Sequence, residues 1–349
     1  LGFIGLIFLI RNRQYRFTAI LIILWMVVVS LAISTLDTAF WHFKRYQMPL
    51  IALLFPLASI PLAKVIKQSA SRRWIVFASV GLIALFFAIM TFQSFLSAYR
   101  SNINYIRKQP LAMARWLIEN TPEDAIIAVH DVGMMRYVGN RETLDIVGLT
   151  TPDAAPYWRN GVGSVAELLL KHQPDYIASY GRGHGYGLYM LADTRLYANP
   201  LVEFPVEIDS RTNVALAADY QAIYQPDWSP VTQPMHENLL AQVNVADLAS
   251  EASSDYHWSN TTLPAGFATV VYDMDLRGCE TSYSQSCKII DGARTITGEE
   301  TFTLKLANTV LDNDLLITSR VHAVDPISIN IYTGDTHVDT QWIPQDAGH

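Results

Sequence analysis

The first 98 residues hold a single acid, Asp37, although the whole chain carries 32 Asp and Glu against 25 Lys and Arg. The same stretch holds nine bases: Arg11, Arg13, Arg16, Lys44, Arg45, Lys64, Lys67, Arg72 and Arg73. That leaves 16 bases facing 31 acids in the remainder. A basic, apolar front and an acidic, polar back are the composition of a membrane part followed by a water-exposed part. Nucleic-acid binding is excluded for both, because the front's bases sit in short clusters at the ends of apolar runs and the back would repel phosphate. Cysteine is nearly absent, with Cys279 and Cys287 the only two. His172, His184, His236, His322 and His337 have no ligand spacing, which argues against metal binding by this chain. There is no Gly-x-Ser-x-Gly elbow, and neither cysteine has the surroundings of a nucleophile.

Long hydrophobic runs are plentiful. Phe17–Leu36, Tyr46–Ala63 and Trp74–Tyr99 are uncharged, and a bilayer needs roughly 20 such residues. Membrane helices are therefore expected over 17–36, 46–66 and 74–99. A fourth run, 1–10, is too short to cross alone and lacks an initial Met, so the sequence reads as the C-terminal part of something longer. A signal peptide is the competing reading, but no small-residue cleavage site follows and the arginines lie on the wrong side.

The basic loops 11–16 and 67–73 are separated by two spans, so the positive-inside tendency lets both face the cytoplasm. That puts His42, Lys44, Arg45 and Tyr46 outside, together with everything after about residue 100. In that compartment Cys279 and Cys287 can form a small-loop disulfide, or stay as two thiols. The expected localisation is an integral membrane protein, of a bacterial plasma membrane, with extracytoplasmic domains.

Beyond the spans, 102–109 reads as a polar neck. Leu111, Ala114, Leu117 and Ile118 recur at helical spacing up to a stop at 119–122. Strands follow at 125–129, 143–147 and 175–179, with a helical turn at 134–138 and a helix at 165–172, the pattern of an α/β domain with a largely parallel sheet. Val214, Leu216 and Ala218 alternate like an edge strand running to Tyr224. The expected organisation is membrane helices over 1–100, an α/β domain over 101–234, a linker over 235–262 with a helix at 237–245, and a β-sandwich-like domain over 263–349. The last is read from strands at 265–276, 300–306, 314–323, 326–332 and 337–343, and it ends as though a closing strand were missing. Four glycines in Gly181–Gly187 make a surface loop or, less in keeping with their spacing, a nucleotide loop.

Two clusters could carry chemistry. His42, Lys44, Arg45 and Tyr46 place charge where a membrane segment begins. Arg can grip a phosphate with paired hydrogen bonds and Lys adds a point charge, whereas the plain alternative is an interfacial belt whose long side chains reach for water. His130 and Asp131 end a predicted strand, where α/β domains place ligands, and with Arg136 and Tyr137 they form a candidate acceptor-side group. The plain alternative for Asp131 is a cap on the following turn.

Arg45-Tyr46-x-x-Pro49, opening a span after an outer loop, resembles the Arg/His-Tyr/Phe-x-x-Pro segment of GT-C superfamily membrane glycosyltransferases, including the protein mannosyltransferase and aminoarabinose transferase branches. The run 114–122, then Asp131-Val-Gly133, then Leu144-Asp-Ile-Val-Gly-Leu149, is similar to the extracytoplasmic domain of bacterial members. The resemblance covers roughly residues 1–180, and more loosely the β-rich end. It implies inverting transfer of a sugar from a polyprenyl-phosphate donor to a glycan, lipid or protein acceptor, with membrane lipids as further partners. It also implies an acidic general base in a first outer loop that maps onto no residue here, and a leaving phosphate stabilised by positive charge or by a divalent metal of the full-length enzyme. By that resemblance this chain has no catalytic residue of its own and is incomplete as an enzyme. The alternatives are a non-enzymatic membrane-anchored module that binds glycans through aromatic residues such as Tyr283 or Trp342, and a transporter or polymer ligase, which the absence of charge within the spans disfavours.

Overall fold

The structure is a computed structural model describing residues 1–36, 42–68, 73–181, 200–229, 239–255, 257–258, 266–273, 288–295, 298–306, 316–317, 319, 321 and 325–345. Four apolar helices open it: α1 (Gly2–Arg11), α2 (Arg16–Ser34), α3 (Met48–Gln68) and α4 (Arg73–Lys108). The last three are long and apolar enough to cross a membrane. No residue of α4's apolar stretch is buried within the protein, so its apolar surface on all sides is left for lipid or other helices. A 3₁₀ turn, His42–Gln47, leads into α3.

Helix α1 lies against α3 through glycine. A Cβ on Gly5 would stand 1.9 Å from the Leu57 carbonyl oxygen, and one on Gly2 would stand 2.9 Å from Leu54. Small residues that let backbones close up are how helices associate in lipid, where burial of apolar surface gives no drive. Lys64 Nζ sits 4.4 Å from the centre of the Phe8 ring on the same contact.

The expected polar neck is helical. Helix α4 continues unbroken past its apolar stretch to Lys108, because Asn102, Tyr105 and Ile106 find partners across its outer turns. Asn102 is 4% exposed. Its Nδ2 donates to the carbonyls of Ala98 and Thr212, each at 2.8 Å, and its Oδ1 accepts from Val214 N at 2.8 Å. The Tyr105 hydroxyl accepts from Asp209 N at 3.1 Å, and Tyr105 and Ile106 pack with Val206, Ile208 and Leu216. The helix breaks at Gln109 since Pro110, whose ring disfavours helical geometry in the residue before it, opens α5 (Pro110–Asn120).

Next come β1 (Ile126–Val129), α6 (Val132–Tyr137), β2 (Glu142–Asp145), α7 (Ala155–Arg159), α8 (Val162–His172), β3 (Tyr176–Tyr180), β4 (Pro200–Pro205) and β5 (Tyr220–Tyr224). They form a five-stranded sheet in the order β2-β1-β3-β5-β4. The pairs β1–β2 and β1–β3 are parallel, while β5 is antiparallel to both its neighbours. Met113, Ala114 and Leu117 of α5 pack with Ile127, Val129, Ala178 and Ile223. Val165, Ala166 and Leu169 of α8 pack with Ala128, Ile177, Ala222 and Tyr224. The sheet is thus covered on both faces, as a parallel sheet of such apolar strands requires.

Two expectations shift here. The edge strand expected from Asn213 to Tyr224 is confined to Tyr220–Tyr224 and lies inside the sheet, with residues 213–218 looping out to meet α4. The true edge is β4, bounded by Pro200 and Pro205, residues suited to an edge because they donate no ladder bond.

The helix expected over 237–245 is absent from 239–245, and a short helix forms at Leu248–Ser253 behind an Asp247 cap. Beyond it the chain is rich in β structure: β6 (His257–Trp258) pairs with β9 (Glu300–Thr301), β7 (Gly266–Asp273) with β8 (Lys288–Thr295), and β10 (Ile327–Thr333) with β11 (Thr336–Ile343). Among the described residues each pair is a separate two-stranded sheet. Strand β8 lies on α8, with Gly292 N donating to Glu167 Oε1 at 3.2 Å. There Arg294 serves two buried carboxylates, Glu251 at 2.5 Å and Glu300 at 3.0 Å. One cation cannot neutralise both. Burial, with the charges of Glu300 and Asp247, pushes the Glu251 carboxyl up to about 7 against the pull of Arg294.

Two outcomes are expected. Asn102→Ala should loosen the α4 junction by about 2–4 kcal/mol, from lost and orphaned buried hydrogen bonds, read as faster proteolysis within 206–218. Because Glu251 holds its proton more tightly folded than unfolded, stability is greatest below pH 4.5 from this group and declines as pH rises through about 7. Melts of the detergent-solubilised protein from pH 5 to 8 should show that slope, and Glu251→Gln should flatten it.

Candidate functional site at the carboxyl edge of the sheet

Strand β1 ends just before His130 and β3 ends at Tyr180, and antiparallel β5 begins beside them, with Gln221 opposite Tyr180. Loop entry from both parallel strands and one antiparallel strand brings together side chains distant in sequence. His130 Nδ1 lies 3.1 Å from Asp131 Oδ1. The other Asp131 oxygen accepts from Gln221 Nε2 at 2.6 Å. The imidazole stands edge-on to Tyr180, 4.7 Å between centroids, and 5.2 Å from Trp158. Its side chain is 15% exposed, that of Asp131 37%. Burial alone would raise the Asp131 carboxyl, but the hydrogen bond and charge of His130, with hydrogen bonds from Gln221 and Tyr180, outweigh it and hold it below the usual carboxylate value.

Asp131 is the N-cap of α6, yet its side chain makes no capping bond. The plain alternative for this residue therefore fails, and its carboxylate is turned across to β5 instead. Arg136 is engaged elsewhere. Its Nη1 donates at 2.5 Å to the carbonyl of Arg141, just before β2 and so toward the opposite, amino edge. Tyr137 is 88% exposed.

Asp145 is fully buried, and its carboxylate accepts from the amides of Val147, Gly148 and Thr150 at 3.0, 3.3 and 2.7 Å. Gly148 has φ +85° and a Cβ there would be 2.3 Å from Ala155 N. The Asp-Ile-Val-Gly-Leu run is thus a loop fastener that seats α7, and with it Trp158. Tyr157 adds a second fastening through its hydroxyl bond to Asp247.

The edge faces the end of α4. Gln109, fully buried at the α4–α5 break, donates from Nε2 to the Phe204 carbonyl of β4 at 3.1 Å. Strand β4 runs parallel to β3, so Phe204 marks the carboxyl edge, and the chain leaving it packs on Tyr105 and Ile106.

In the other cluster, Arg45 Nη2 donates to the Tyr46 hydroxyl at 2.8 Å, with its guanidinium 4.9 Å from the Tyr46 ring centre. His42 and Lys44 share this 3₁₀ turn, though the course of their side chains, like Asp37, Cys279, Cys287 and Tyr283, lies outside the described residues. Among the described residues no group of three His, Cys, Asp or Glu is placed to hold a metal. Sequence reasoning missed Trp158, Tyr180 and Gln221. The one available signal was a glutamine inside the otherwise apolar strand Tyr-Gln-Ala-Ile-Tyr.

Residues 99–259 match a family described as Domain of unknown function (DUF8728). The stretch begins where α4 turns polar and takes in the whole five-stranded sheet, ending just past β6. No curated protein and no solved structure matches the chain.

The dyad makes a stability forecast. With its folded value depressed, Asp131 contributes stability above the ordinary carboxylate range that is lost as pH falls through that lower value. Asp131→Asn should lower Tm at pH 7 by more than at pH 3, as followed by tryptophan fluorescence.

Proposed function

We propose that this chain takes part in moving a glycosyl group from a polyprenyl-phosphate donor to an extracytoplasmic acceptor. His42, Lys44, Arg45 and Tyr46 hold the lipid phosphate, and the edge bearing His130 and Asp131 receives the acceptor. The observation that carries the reading is the placement of that edge toward the outgoing end of α4, so that a donor held in lipid and an acceptor held by the sheet approach one another. Arg45, exposed and pre-set against Tyr46 at the mouth of α3, has the planar fork that suits a phosphate. In this reading the β-rich end is an accessory, sandwich-like domain beside the site, and Cys279 and Cys287 close a loop within it.

A second reading, a glycan-binding module without catalysis, is favoured by Trp342 and Tyr332, which are 68% and 58% exposed on the β10–β11 hairpin. The two separate on Arg45. In isolated native membranes given a radiolabelled polyprenyl-phosphate hexose, Arg45→Ala should cut transfer at least about tenfold, the scale of one charge-assisted contact. Unchanged transfer would remove the phosphate role, and loss of glycan retention in Trp342→Ala without any transfer by the wild type would favour the module.

A further inference from the structure

The pair at the end of β1 has the form of a proton-transfer site. A carboxylate against Nδ1 fixes the imidazole proton there and leaves the lone pair on Nε2, and Nε2 has no hydrogen-bond partner among the described residues. Tyr180 and Trp158 flank the ring, with centroids 4.7 and 5.2 Å away, and its side chain keeps 15% of its surface exposed. Gln221 is fully buried. Its Nε2 must face the Asp131 carboxylate, which fixes the amide's orientation, and the remaining Oε1 is buried with no hydrogen-bond partner among the described residues. An unfilled buried acceptor is costly. Two acceptors ordered by the two oxygens of one carboxylate suit a ligand that donates twice, as a sugar or polyol does with two hydroxyls.

We propose that His130 Nε2 takes the proton of the acceptor hydroxyl, that Asp131 is the positioning residue for the imidazole, and that Gln221 Oε1 receives a second hydroxyl of the same acceptor. As the acceptor oxygen bonds to the anomeric carbon, the bond from that carbon to the phosphate oxygen breaks. Its electron pair leaves with the polyprenyl phosphate, and the hydroxyl proton passes to Nε2, from which solvent removes it. Among the described residues the titratable groups facing the imidazole are Asp131 beside it and Tyr180 from β3; α7 and β5 contribute the neutral Trp158 and Gln221. This inference rests on the glycosyl-transfer reading and adds a base of different chemistry from the acidic one the resemblance implies.

The test uses the full chain in native membranes, which carry the acceptor, with a radiolabelled polyprenyl-phosphate hexose. His130→Gln should lower kcat about 100-fold or more, the usual worth of a positioned base, with the donor KM unchanged. Asp131→Asn should lower kcat less, again without moving the donor KM. If the glutamine variant folds poorly, added imidazole should restore turnover to His130→Gly. Wild-type kcat in His130→Gln, or no rescue of a folded His130→Gly, overturns the role of His130 while transfer itself stands. Absence of any transfer by the wild type overturns the underlying reading, and the inference with it.

Discussion

The seating of the α/β region on the apolar helices depends on one joint: the last turns of α4 held by Asn102, Tyr105 and Gln109. Asn102 alone satisfies a helix carbonyl, a loop carbonyl and a loop amide. Tyr105 adds an amide from the same loop, and Gln109 ties the helix break to β4. Buried polar groups of this kind hold a single geometry because any other leaves them unpaired. Their effect is directional: the loop they fasten follows β4, so fastening it turns the carboxyl edge of the sheet toward the end of α4.

The chemistry at that edge comes from a break in an otherwise apolar plan. Strands β1, β3 and β5 are packed on both sides, and polar side chains are tolerated only where the strands end and can answer one another. His130, Asp131 and Gln221 do so as a chain of imidazole, carboxylate and amide. The Asp145 loop supports them indirectly, since it seats the helix that carries Trp158. The motif Asp-x-x-Gly-Leu, read in sequence as a family signature, is physically a fastener whose glycine has a left-handed backbone and no room for a Cβ.

Local patterns were legible and distant ones were not. The apolar runs, the α5 periodicity and the short strands at 126–129 and 176–180 follow from hydrophobic spacing, which acts within a window of a few residues. The stretch 102–109 read as a polar neck because its polar residues have partners 95 to 112 positions away, beyond any local pattern. Strand β5 was misplaced because alternation in Val214, Leu216 and Ala218 reflects one buried side chain, Leu216, in a loop pressed on α4. Of the dyad, His130 and Asp131 were visible at a strand end, but their partners arrive from β3, α7 and β5. At the β-rich end the described residues form two-stranded pairs, and strand spacing alone does not say how such pairs assemble.

The length of α4 has a mechanical consequence. Its apolar part, from Trp74 to Tyr99, is about 39 Å long as a helix, against a hydrocarbon thickness of roughly 30 Å. A helix longer than its bilayer leans or thickens the lipid around it. Since the α/β region is fastened to the same helix rather than hinged from it, leaning carries the sheet edge sideways and downward as one body. With about 54 Å of helix as the lever, a change of about 10° moves that edge by roughly 9 Å. In a bilayer crossed by α4, thickness would thereby govern the sideways placement of that edge more than its height.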